Sequence, residues 1–130
     1  MELEFAIDPD VAGAYPFAIR DGVPRVIDWQ PMILEMMHDV LRCADIRFIS
    51  TRFHNTLAEM IVAMARETGE HCIVLTGGCF QNRYLTERAV ERLIESGFRP
   101  HWHQRIPPND GGIALGQIIA AASAIRGKIP

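Results

Sequence analysis

Apolar side chains recur at steps of three and four between Asp45 and Gly69: Ile46, Ile49, Phe53, Leu57, Met60, Ile61 and Met64. This spacing lines one face of a long amphipathic helix, with Asp45 as its cap and Gly69 as its stop. Upstream, Ile33, Leu34, Met37, Val40 and Leu41 keep the same period and predict a helix from Pro31 to about Arg42, with Asp28 or Gln30 near its cap. The first thirty residues read as up to three antiparallel strands. Leu3 to Ile7 is one, and Tyr15 to Arg20 and Arg25 to Trp29 flank the hairpin turn Asp21-Gly22. Downstream, Ile73, Val74 and Leu75 form a short apolar run of the kind that makes a buried strand, and Thr76-Gly77-Gly78 breaks it. An amphipathic helix follows at once, marked by Leu85, Ala89, Leu93 and Ile94 and stopped at Gly97. Phe98 to Gln104 reads as a strand. After the loop Pro107-Pro108-Asn109-Asp110-Gly111-Gly112, Ile113 to Ile125 is apolar almost all round, which predicts a buried last helix. Residues 126–130 read as a frayed tail.

The order β-β-β-α-α-β-α-β-α predicts an α/β fold, a mixed sheet of about five strands flanked by helices. The ribonuclease-H-like layout fits it, the half-unit of actin-like and sugar-kinase-like ATP-binding proteins. Fold alone does not fix function.

Composition narrows the setting. At 130 residues with 48% hydrophobic content, the chain is most simply one domain with a real core. A net charge of −3, with both signs interspersed, argues against a nucleic-acid surface. Cys43, Cys72 and Cys79 are an odd number without a Cys-x-x-Cys pair, which disfavours a disulfide framework or a four-cysteine zinc site and points to reduced, cytoplasmic thiols. Glu2, Glu4 and Asp8 are wrong for a signal peptide, and the longest apolar runs are too short to span a bilayer.

Strand, glycine turn, helix is a plan for holding a phosphate or nucleotide, because glycines admit close backbone approach and a helix N-terminus offers free N–H groups. Gly-Gly also serves simply to turn a corner. Asp110, ahead of Gly111-Gly112 and a helix, is the sharpest single candidate: it is a metal or metal–nucleotide ligand, or else Asn109 or Asp110 is simply the helix N-cap. Asn82 either donates its amide to a phosphate or ribose oxygen or tidies the helix end. His54 sits at the edge of the long helix's apolar stripe. His101 and His103 alternate on a strand, either as a His-x-His metal pair or as a half-exposed face. Cys79 follows the glycine turn but has no base or orienting partner in view.

Taken together, these segments resemble one family. Tyr15-Pro16-Phe17, the hairpin ending at Asp28-Trp29, Arg52-Phe53-His54-Asn55-Thr56-Leu57-Ala58, Gly77-Gly78-Cys79-Phe80-Gln81-Asn82-Arg83 and Pro107 to Gln117 are similar, in order and spacing, to the C-terminal part of HypF, the carbamoyltransferase of [NiFe]-hydrogenase maturation. The last two motifs are specific. The resemblance covers nearly all of the chain and implies the second lobe of a Kae1-like domain within a longer protein. Met1-Glu2-Leu3-Glu4 itself resembles an internal stretch of that family.

The resemblance implies a chemistry. A YrdC-like domain of the family makes carbamoyl adenylate from carbamoyl phosphate and ATP, and the Kae1-like domain passes the carbamoyl group to the C-terminal cysteine of HypE. Thr76, Gly77, Gly78 and Asn82 match the family's nucleotide-holding loop, and Asp110 matches its metal-binding aspartate. That metal's histidine co-ligands belong to a His-x-x-x-His helix of the first lobe, and none of the five histidines here are four apart. The chain alone is therefore expected to lack a complete metal site and to be weakly active or inactive, with HypE and the rest of a HypF chain as partners. The uncovered face predicts self-association. Two other readings stand beside it: a Kae1-like lobe of another carbamoyl or threonylcarbamoyl transferase, and a non-catalytic interaction module.

Overall fold

The structure, a computed structural model, describes residues 2–125. Its axis is helix α3 (Ile46–Thr68), capped as expected: the Asp45 side chain accepts from Arg47 N–H, and Gly69 takes the left-handed conformation at φ 70°. Before it come α1 (Glu2–Phe5), the strands β1 (Ala18–Arg20) and β2 (Val26–Asp28), and α2 (Gln30–Leu41). After it come β3 (Cys72–Leu75), α4 (Arg83–Glu95), β4 (Arg99–Trp102) and α5 (Ile113–Ile125).

Two sides of α3 carry two cores. Ala58, Val62 and Ala65 meet Leu75 of β3 and Leu85, Ala89 and Leu93 of α4, all buried. On the other side Met60 meets Tyr15 and Met32. Burying a side chain such as Leu75 or Leu93 is worth about 1.5–3 kcal/mol. β3, α4 and β4 form a parallel βαβ unit with Cys72 opposite Arg99 and Leu75 opposite Trp102. β1 and β2 form the expected antiparallel hairpin, with Ala18 opposite Asp28.

Several expectations are corrected. The described residues show four short strands in two separate two-stranded sheets, not one mixed sheet of about five in a ribonuclease-H-like order. Leu3 to Ile7 is not a strand, because Glu2, Leu3 and Glu4 are good helix formers and Glu2–Phe5 makes a helical turn. That turn is tied to α3, where the Ser50 hydroxyl donates to the Leu3 carbonyl and Asp8 N–H donates to Thr51 Oγ1 across 2.9 Å. The hairpin starts only at Ala18, since Tyr15 N–H is spent on Thr56 Oγ1 at 2.7 Å rather than on a ladder. β4 stops at Trp102 because its partner β3 ends at Leu75.

Helix α5 forms as expected but is not buried. Ile118 is 65% exposed and Ile125 87%. An apolar pattern reports what a helix needs covered, not that the same chain covers it. The expected tail, 126–130, lies outside the described residues. Among the described residues no helix is long and apolar enough to cross a membrane.

Candidate functional site

The C-terminal ends of the parallel strands β3 and β4 are where an α/β unit gathers its loops. After Leu75 the chain passes Thr76 and reaches Gly77 at φ 110°, ψ 161°, a region open essentially to glycine alone. The α-helix does not follow at once. One turn of 3-10 helix, Gly78–Gln81, intervenes, and Asn82 in extended conformation then caps α4.

The N-terminus of α4 is also not the open anion site that the sequence suggested. Asn82 Oδ1 accepts from Leu85 N–H at 2.8 Å, and Glu4 Oε1 accepts from Arg83 N–H at 2.9 Å. The uncommitted donors lie one turn earlier. Among the described residues, the N–H groups of Gly78 and Cys79 have no hydrogen-bond partner, whereas that of Gly77 donates to the Pro108 carbonyl at 2.8 Å. This bond docks the Pro107–Gly112 loop on the glycine turn. A second tie joins Thr76 Oγ1 to His103 Nε2 at 3.1 Å.

In that loop Asn109, not Asp110, is the cap: its Oδ1 accepts from Gly111 N–H at 3.0 Å. Gly112 is required for space, since a Cβ there would lie 2.9 Å from the Pro107 carbonyl oxygen. Asp110 is exposed, and among the described residues its carboxylate has no hydrogen-bond or ion-pair partner. No group of three or more His, Cys, Asp or Glu side chains able to hold a metal occurs among the described residues. Asp110 is thus a single exposed carboxylate, and the residues present do not by themselves fit a metal ion. His103 lies beyond the end of β4, so it and His101 do not form a His-x-His pair on one strand. All three cysteines are free and exposed.

The segment Arg52 to Thr56, of which the sequence reading placed only Phe53 in the apolar stripe and His54 at its edge, is a polar hub with His54, Asn55 and Thr56 buried. Arg52 pairs with Asp39 at 3.1 Å and lies over the Tyr15 ring, 4.1 Å from its centre. Asn55 donates to the Gly13 carbonyl at 2.9 Å and accepts from the Tyr84 hydroxyl at 2.9 Å. Thr56 holds Tyr15 N–H. His54, 4% exposed, joins α3 to the site: its Nδ1 lies 2.8 Å from the Ser50 carbonyl and its Nε2 2.9 Å from Asn82 Nδ2. Burial, then the Asp39 carboxylate, pushes the Tyr15 phenol well above its usual range, and burial raises that of Tyr84. A cavity of about 450 Å³ opens between Glu4, Phe53, His54, Gly78, Cys79 and Asn82.

The sequence singled out Thr76, Gly77, Gly78, Asn82 and Asp110 as candidates, and the structure brings the two loops that carry them into contact. It missed Glu4 and the link from His54 to Asn82. The one signal was polar residues interrupting an apolar period.

The fold and the order of these motifs define an α/β subdomain of the Kae1-like class. Residues 1–117 match the family model described as carbamoyltransferase, Kae1-like domain, second subdomain. The chain belongs to the HypF carbamoyltransferase family. Carbamoyltransferase HypF of Synechocystis sp. is 35% identical over 124 residues, 94% of this chain and 16% of that protein. Carbamoyltransferase HypF of Rhizobium leguminosarum bv. viciae is 34% identical over 98% of this chain and 17% of its own length. The chain therefore spans about a sixth of these relatives. A crystal structure of full-length HypF in the phosphate- and nucleotide-bound form superposes with a TM-score of 0.85 at 35% identity, over 95% of this chain and 17% of that one. T. kodakarensis HypF, 20% identical, shares the fold with a TM-score of 0.68 over 98% of this chain and 16% of its own.

Proposed function

We propose that this chain is the nucleotide-holding lobe of a carbamoyltransferase that moves a carbamoyl group from carbamoyl adenylate, made from carbamoyl phosphate and ATP, to the C-terminal cysteine of HypE. The observation that carries the reading is the bond from Gly77 N–H to Pro108. It sets the glycine turn and the Asp110 loop side by side at the ends of parallel strands. The nucleotide-bound state named for the solved homologue supports the same assignment.

In this reading Gly77 shapes the turn, the N–H groups of Gly78 and Cys79 face the phosphate, and Thr76 flanks it. The Asn82 amide has a second hydrogen to give to a ribose or phosphate oxygen. The acceptor thiolate attacks the carbamoyl carbon. The C–S bond forms as the bond from that carbon to the phosphate oxygen breaks, AMP leaves with the electron pair, and the thiol proton passes to solvent. The lobe's task is to place the adenylate and offset phosphate charge with fixed donors. Asp110 supplies one carboxylate to a divalent-metal site whose other ligands come from outside this chain.

The exposed apolar side chains of α5 are a surface for the rest of a HypF-length protein, and the apolar cavity of about 550 Å³ bordered by Ile61, Met64, Val74 and Phe80 is another. Alone, the chain covers them by self-association. The setting is the cytoplasm, and neither nucleic acid nor membrane enters the reaction. Calorimetric titration with ATP and AMP, with and without divalent metal, tests the assignment. Binding without metal that is lost in Asn82→Ala is expected; no heat at millimolar nucleotide overturns the claim that this lobe holds the adenylate.

A further inference from the structure

We infer that His54 is a positioning residue that sets the Asn82 carboxamide for the nucleotide. The inference rests on the proposed nucleotide role of Asn82. Only one hydrogen-bonding pattern satisfies both ring nitrogens. Nδ1 is 2.8 Å from the Ser50 carbonyl oxygen, which can only accept, so Nδ1 carries the proton. Nε2 is then the bare acceptor, and the group 2.9 Å from it is the Asn82 amino group, which donates. At the other end of the same amide, Oδ1 accepts from Leu85 N–H at 2.8 Å.

Each contact fixes one end of the carboxamide, and the two agree. Turning the amide over would set its oxygen against the His54 lone pair and its amino group against an N–H. Asn82 thus keeps one amino hydrogen uncommitted beside the cavity it shares with His54, Gly78 and Cys79. The ring itself is held edge-on by Phe53, at 5.4 Å and 83° between planes, and by Tyr84, at 6.0 Å and 88°. The amide therefore meets its ligand already oriented, and the cost of ordering it falls on folding rather than on binding.

The test compares the wild-type chain with His54→Phe, His54→Gln and Asn82→Ala. Phe fills the space without an acceptor, while Gln offers an amide oxygen near the place of Nε2. Nitrogen-15 spectra should show the two Asn82 side-chain amide protons well separated and protected in the wild type and in His54→Gln. In His54→Phe they should move toward solvent-exposed positions. ATP affinity should fall about fivefold to tenfold in His54→Phe, the worth of one lost hydrogen bond. It should recover in His54→Gln. Unchanged Asn82 amide signals in His54→Phe overturn the inference, whether or not nucleotide binds. Wild-type ATP affinity in His54→Phe alongside weakened binding in Asn82→Ala overturns it while leaving the nucleotide reading intact. Unchanged binding in Asn82→Ala overturns that reading and the inference with it.

Discussion

The N–H of Gly77 donates to the carbonyl of Pro108 across 2.8 Å, joining the turn after β3 to the loop before α5. Gly77 stands at φ 110°, ψ 161°, with nothing within 4 Å of where a Cβ would be. Its requirement for glycine is one of backbone conformation, not of space. Gly78 next to it has no positive φ, and a Cβ there would meet only Gln81 Nε2, at 4.0 Å.

The two glycines should therefore separate stability from binding. Gly77→Ala is expected to cost about 1–3 kcal/mol, the usual penalty for a side chain in a glycine-only region. Gly78→Ala should leave the urea midpoint close to the wild type. If phosphate sits against Gly78 N–H, the added methyl should still weaken ATP binding. A Gly77→Ala variant as stable as the wild type would contradict the conformational argument.

Asp110 offers a second separation. Asn109 makes the cap and the Asp110 carboxylate has no partner among the described residues, so Asp110→Asn removes no contact seen in the fold. Thermal melting of Asp110→Asn should match the wild type, whereas Asn109→Ala should cost about 1 kcal/mol as a lost cap. A marked loss of stability in Asp110→Asn would mean that the carboxylate serves the fold rather than a ligand.

How much of this was legible follows from the range of each interaction. The caps of α3 and the hairpin turn are local, and Asp45, Gly69 and Asp21-Gly22 announce them. The glycine turn and the Asp110 loop were legible as motifs. Their contact was not, because a bond between Gly77 and Pro108 leaves no periodicity in either segment. The expected strand at Leu3 to Ile7 failed because five residues cannot separate strand from helical turn, and Ser50 and Thr51 on a distant helix decide it. The occupied N-terminus of α4 was illegible for the same reason: Glu4, which holds Arg83 N–H, lies 79 residues away in the chain. The burial of Asn55 and Thr56 was illegible because period alone cannot tell a buried Thr or Asn from a solvated one.

Tyr15 gives the chain an alkaline weakness. Its hydroxyl donates to Asp39 Oδ2 at 2.7 Å, it is 2% exposed, and its phenol is pushed above the ordinary value of 10.0. Above pH 10 an unfolded Tyr15 releases its proton while the folded one keeps it. The folded state then binds more protons, so stability falls as pH rises, by up to about 1.4 kcal/mol per pH unit from this residue. Tyr15→Phe should be less stable at neutral pH, by about 1 kcal/mol for the hydrogen bond to Asp39, which keeps its Arg52 partner. It should also show a shallower decline between pH 10 and 11. Urea melts across that range check it, and parallel slopes for the two proteins would show that Tyr15 is not the titrating group.

Helix α5 makes the last prediction. It is apolar almost all round and no residue of it is buried, with Ile118 at 65% and Ile119 at 56% exposed. Leaving apolar surface in water costs about 25 cal/mol per Å², so a helix of this composition is driven toward any matching surface. Isolated chains should associate at micromolar concentration, reversibly and more strongly with added sulfate, which strengthens apolar burial. Ile118→Glu with Ile119→Lys should return the chain to a monomer in sedimentation equilibrium without lowering the stability of the core around Val62 and Leu93. Those residues share no cluster with α5. A wild-type chain that stays monomeric at hundreds of micromolar would show that α5 finds its cover within the chain itself.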